Sequence, residues 1–150
     1  MRTKTCGAVG GWLLLAIGLS ACAGEGIRDP VGPGPMCTDI PPFRPTLSCI
    51  QQFVFTPTCA KSGCHLSPAQ QNQDLSAGMA YSNIVGVRSM EVPSLFRVEP
   101  GDPNHSYMIL KLEGAPGIVG VQMPADGPPY LSQADIDVLR QWILDGALDN

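Results

Sequence analysis

Apolar positions along this chain fall into a few short groups separated by long stretches rich in glycine and proline. The first group runs from Gly10 to Leu19 behind the basic residues Arg2 and Lys4, and small residues, Ser20 and Ala21, close it before Cys22. That order reads as an export signal. A spanning helix needs roughly 20 apolar residues, about twice the length of this run, so the transmembrane reading is the weaker one. The second group, Leu47 to Phe55, predicts a short first helix ending at Pro57. In the third, Asp102 is placed to cap a helix with Pro103 at its first position, which would continue through Tyr107, Ile109, Leu110 and Leu112 and stop at Gly114. In the fourth, Ser132 with Asp135 three residues on is close to a capping box, followed by Ile136, Leu139, Ile143 and Ala147 at helical spacing. Nowhere do β-branched residues alternate over a sustained stretch, so strand signals are few.

Composition sharpens the organisation. The 150 residues include 17 glycines and 15 prolines, about a fifth of the chain and well above ordinary usage, while 44% hydrophobic content still allows a core. Most of residues 22–46 show no apolar periodicity and read as a flexible tether. The expected division is therefore 1–21 signal segment, 22–46 tether and 47–150 folded domain. Nine basic against 13 acidic residues give a net charge of −4, and loss of Arg2 and Lys4 with the signal would make the remainder −6. With no basic run there is no electrostatic footprint for nucleic acid, because phosphate neutralisation needs clustered Lys and Arg. Leu19-Ser20-Ala21-Cys22 resembles the lipobox of bacterial lipoproteins. The resemblance implies acylation of Cys22 and a lipid anchor on a bacterial envelope membrane, periplasmic or surface-facing.

Candidate chemistry is concentrated in Phe53-Val54-Phe55-Thr56-Pro57-Thr58-Cys59-Ala60-Lys61-Ser62-Gly63-Cys64-His65. Two cysteines with a histidine directly after the second are the elements of a c-type haem attachment site. There the thiols bond to the two vinyl groups and the histidine ligates iron. Four residues separate the thiols here instead of the usual two. Both sulfurs can still reach one porphyrin edge if the extra residues bulge outward, and Ser62-Gly63 supplies the freedom for that. A structural disulfide between Cys59 and Cys64 is the plainer reading, but it has no need of His65. Zinc held by Cys59, Cys64, His65 and His105 is a further one, weakened because adjacent Cys and His rarely reach one tetrahedral ion together.

The segment resembles the C-x-x-x-x-C-H variant of c-type haem sites, and Cys59 to the C-terminus is similar to a small bacterial class I cytochrome c domain. The likeness rests on Cys59, Cys64 and His65, on Asp74-Leu75-Ser76 with Ala80-Tyr81-Ser82-Asn83-Ile84, on Pro100-Gly101-Asp102-Pro103 with Ser106-Tyr107, on Gln122-Met123-Pro124, and on a last helix containing Trp142. It implies an all-α fold around one covalent haem c, with long loops and the first and last helices crossing. Phe53 and Trp142 are the aromatic residues available for that crossing. In such domains the second iron ligand is a methionine in the loop before the last helix, the position of Met123; His105, Met79, Met90 and Met108 are its rivals. Phe55, Leu75, Ile84, Val85, Leu110 and Leu112 are the expected pocket lining.

Of the six cysteines, Cys6 leaves with the signal and Cys37 and Cys49 are left as candidates for a disulfide pinning the tether to the first helix. The implied function is single-electron transfer between redox proteins, not enzymatic turnover, since His and Met together would fill both axial positions. Two other readings stay open: a haem enzyme with peroxidase-like activity if Met123 does not bind, and a non-haem, disulfide-stapled binding lipoprotein.

Overall fold

Among the described residues the domain has six short helical segments, the first two continuous and the others separated by loops. The computed structural model describes Cys37 and residues 44–150, all within one unit spanning residues 35–150. The signal segment, the lipobox Cys22 and most of the tether lie outside the described residues.

Helix α1, Leu47–Ile50, is capped by Thr46, whose hydroxyl accepts from the Cys49 amide at 3.3 Å. It continues without a break as a π-helix, Gln51–Cys59, which contains Pro57. The helix does not stop at the proline as expected. Widening to the i→i+5 register, as in the 2.7 Å bond from the Ala60 amide to the Phe55 carbonyl, gives the ring room that an α-turn denies it. A single 3-10 turn, Gln70–Asn72, and helix α2, Ala80–Ile84, follow.

Helix α3 is Tyr107–Glu113, ending at Gly114 in the left-handed region (φ 64°). It starts later than the sequence suggests. Asp102 accepts from the amides of Asn104 and His105 at 3.1 and 3.2 Å, so its capping chemistry closes a turn, and Ser106 becomes the residue before the helix. Helix α4, Gln133–Leu144, has the expected start: Ser132 Oγ accepts from the Asp135 amide.

Helix α4 packs against α3 and α1. Trp142, Ile143 and Leu139 meet Ile50, Phe55 and Ile109 in one buried cluster. Phe55, at 1% exposure, is the deeply buried aromatic of the first helix, whereas Phe53 is only partly buried against the core. The chain end closes the same corner, with Asn150 accepting from the amides of Leu47 and Ser48 at 3.0 and 2.8 Å. Cys37 and Cys49 are joined by a disulfide. Among the described residues there are isolated bridges, Val85 with Val98, Arg88 with Phe96 and Phe96 with Ser106, but no extended strand. The described residues are thus helical, and none of their helices is long and apolar enough to cross a membrane.

Candidate functional site

The π-helix and the turns that follow it bring the C-x4-C-H segment to the edge of a cleft of about 380 Å³. Cys59, Cys64, His65 and Met123 all line it, although Met123 is 58 positions beyond His65 in sequence. That volume is within the roughly 300–1,000 Å³ of small-molecule and cofactor sites. Val54, Phe55, Leu75 and Leu112 supply apolar wall. Ile84, Val85 and Leu110, expected in the lining, are absent from it; Ile84 is instead wholly buried in the core.

The long spacing between the thiols is absorbed by a folded turn. The Cys64 amide donates to the Lys61 carbonyl at 2.9 Å and the His65 amide to the Cys59 carbonyl at 3.2 Å, while Lys61, Ser62 and Gly63 project into solvent. Gly63 has φ 78° with open space around it, the backbone freedom this turn requires. Cys59 and Cys64 carry free thiols and are not bonded to each other. Burial pushes the Cys59 thiol up to about 12, partly offset by the nearby Lys61 charge.

His65 is held by its own backbone neighbourhood. Its Nδ1–H donates to the Gln73 carbonyl at 3.1 Å, which fixes the tautomer and leaves Nε2 as the acceptor nitrogen. Burial lowers its pKa, favouring the neutral imidazole that metal ligation needs.

The Met123 loop is pinned to the end of α3: the Met123 amide donates to the Lys111 carbonyl at 2.8 Å, and Gln122 Nε2 to the Leu112 carbonyl at 2.7 Å. An exposed ion pair, Lys61 Nζ to Asp126 Oδ2 at 3.3 Å, joins the thiol-bearing turn to the same loop. Met90 and Met108 also line the cleft. Met79 and His105 do not. His105 is exposed and donates from Nδ1 to Asp102 Oδ2 at 2.6 Å, which holds the Asp102 carboxyl below its usual range. Among the described residues no three His, Cys, Asp or Glu side chains converge as a metal cluster, so the four-ligand zinc arrangement is not assembled.

A polar network on the cleft wall had no counterpart in the sequence reading. Lys111, 8% exposed, lies 3.2 Å from Glu91 and donates to the Val119 carbonyl at 2.7 Å. Tyr107 donates to Glu91 at 2.7 Å and accepts from the Val119 amide at 3.0 Å. Arg97, 5% exposed, donates to the carbonyls of Gln71, Asn72 and Asn83. The one available signal was a lone charge inside an apolar run, as in Leu95-Phe96-Arg97-Val98 and Ile109-Leu110-Lys111-Leu112. No family model, curated protein or solved structure matches this chain.

Proposed function

We propose that this chain is a lipid-anchored monohaem c-type cytochrome of the bacterial cell envelope, carrying single electrons between redox proteins, with a class I cytochrome c-like helical fold. The observation that carries this reading is that Cys59, Cys64, His65 and Met123 line one cleft.

The residues fit the group on chemical grounds. Two unpaired thiols are present for the two vinyl groups; each S–H adds across a C=C bond, the sulfur forming the new S–C bond and the hydrogen going to the neighbouring carbon, with no oxidant consumed. His65 offers a neutral Nε2 with its other nitrogen already committed to Gln73. Met123 offers a thioether on a loop tied to α3, and a thioether favours the reduced metal and raises the potential relative to a second imidazole. Val54, Phe55, Leu75 and Leu112 exclude water from the cleft wall, which also tunes potential. Haem c, when bound, supplies a one-electron Fe(III)/Fe(II) couple. The acidic chain favours partners with basic patches, in the small transient contacts usual for redox encounters.

The test is a denaturing gel stained for haem, using protein exported in a host with c-type cytochrome maturation, beside a Cys59→Ala, Cys64→Ala double variant. Stain that survives denaturation in the parent and vanishes in the variant is the expected result. An unstained parent of confirmed export would overturn the cytochrome reading.

A further inference from the structure

The loop between α3 and Met123 has little apolar burial to hold it. Val119 and Val121 are 49% and 59% exposed, and Gly114, Gly117 and Gly120 all stand at positive φ. A segment of that kind opens readily unless polar contacts close it. Those contacts converge on one residue of α3. Lys111 Nζ donates to the Val119 carbonyl at 2.7 Å and lies 3.2 Å from Glu91 Oε2, while the Lys111 carbonyl accepts from the Met123 amide at 2.8 Å. The same residue therefore grips the loop near its middle and again at the methionine.

Tyr107, one helical turn before Lys111 on α3, completes the grip. Its hydroxyl accepts from the Val119 amide at 3.0 Å and donates to Glu91 Oε2 at 2.7 Å. Both backbone polar groups of Val119 are thus held, the N–H by Tyr107 and the C=O by Lys111, and one carboxylate holds both of the side chains that hold it. Glu91 is itself fixed by a turn in which the Ser89 hydroxyl accepts from the amides of Glu91 and Val92 at 3.2 and 3.1 Å. Lys111 is a buried ammonium, and stability alone gives little reason for burying such a pair, since apolar side chains of similar volume often serve a core as well or better.

We propose that Lys111 is a positioning residue for Met123, with Glu91 as its anchor: the ammonium ties the loop to α3 and so keeps the methionine at the cleft. The role rests on the haem reading, in which Met123 is the second iron ligand and opening of the loop vacates that position. An outside ligand then competes for iron only in the open form, so its apparent affinity scales with the fraction of chains whose loop is open. Cutting the tie removes a hydrogen bond from a charged donor, which should raise that fraction about tenfold or more.

The test compares the full-length parent with Lys111→Met, which keeps the stem without the ammonium, and with Glu91→Gln, Lys111→Met, which also removes the charge left unpaired. Amide hydrogen exchange is read at Val119 and Met123 in the loop and at Leu139 and Ile143 in the core of α4, and imidazole affinity is read on the oxidised, haem-loaded chain. The loop amides should exchange about tenfold faster or more in both variants, the α4 amides should return to parent rates in the double variant, and imidazole should bind more tightly by a similar factor in both. A pair that serves stability alone moves all four amides together in the single variant and restores all four in the double. That outcome overturns the proposal and leaves the cytochrome reading standing, as does a loosened loop in a loaded chain whose imidazole affinity is that of the parent. If Lys111→Met does not fold, the double variant decides alone. A parent without covalent haem overturns the cytochrome reading and the iron half of the proposal, and the loop amides still decide whether Lys111 holds Met123 in place.

Discussion

His65 Nδ1 lies 3.1 Å from the carbonyl oxygen of Gln73, so the imidazole that follows the second thiol is oriented by backbone eight residues downstream. The bond leaves Nε2 as the available ligand atom, and the same tie recurs between the His65 carbonyl and the Leu75 amide at 2.8 Å. His65→Ala should therefore abolish the low-spin absorption spectrum of the loaded protein. A low-spin spectrum persisting unchanged in that variant would exclude His65 as an iron ligand.

Three methionines line the cleft, and their settings separate them. Met108 is 8% exposed and belongs to the core, Met90 is 55% exposed, and Met123 stands on a loop fastened to α3 through Lys111 and Leu112. Met123→Ala is expected to yield high-spin iron that binds carbon monoxide readily in the reduced state, and Met123→His to lower the midpoint potential. Met108→Ala and Met90→Ala should leave ligand binding as in the parent. If Met108→Ala opens the iron and Met123→Ala does not, the ligand assignment passes to Met108.

Much of this arrangement is legible locally and some is not. Ser132 and Asp135 announce α4 because a cap and its target lie three residues apart, and Ile136, Leu139 and Ile143 fall on its buried face. Asp102 misleads because an Asx-type turn uses the same side-chain acceptor as a helix cap, and only the backbone beyond it decides between them. Phe53 and Phe55 are two positions apart on the wide π-turn, so an α-helical period cannot tell which is buried. The Glu91–Tyr107–Lys111 network and the carbonyl cradle of Arg97 join segments up to 26 positions apart, and no spacing rule reaches across such loops.

Cys59 is the less reactive kind of thiol in the folded chain. With its pKa pushed up to about 12 by burial, only about one molecule in ten thousand carries the thiolate at pH 8, against about a quarter for a free cysteine of pKa ~8.5. The folded, haem-free protein should alkylate slowly with iodoacetamide at Cys59, the rate climbing about tenfold per pH unit up to pH 10, and unfolding in urea should remove the protection. Peptide mapping after timed quenching reads this directly. Rapid alkylation of Cys59 at pH 8 in the folded state would show that the thiol is not desolvated.

The Cys37–Cys49 disulfide closes a loop with a sequence separation of 12 and fastens the segment before α1 to a residue only 2% exposed. In the chain-entropy account a loop of that size contributes about 3 kcal/mol by restricting the unfolded chain. Cys49 is also core, packed with Ile50, so replacing it with serine places a hydroxyl among apolar side chains, and Cys49→Ala is the cleaner substitution. The Cys37→Ala, Cys49→Ala variant should lose about 3 kcal/mol in urea unfolding, while a parent reduced under native conditions should lose a similar amount without any change in core volume. The two measurements separate the cross-link from the packing: a large loss in the variant with none on reduction would place the stabilisation in the side-chain contacts of Cys49 and not in the bond to Cys37.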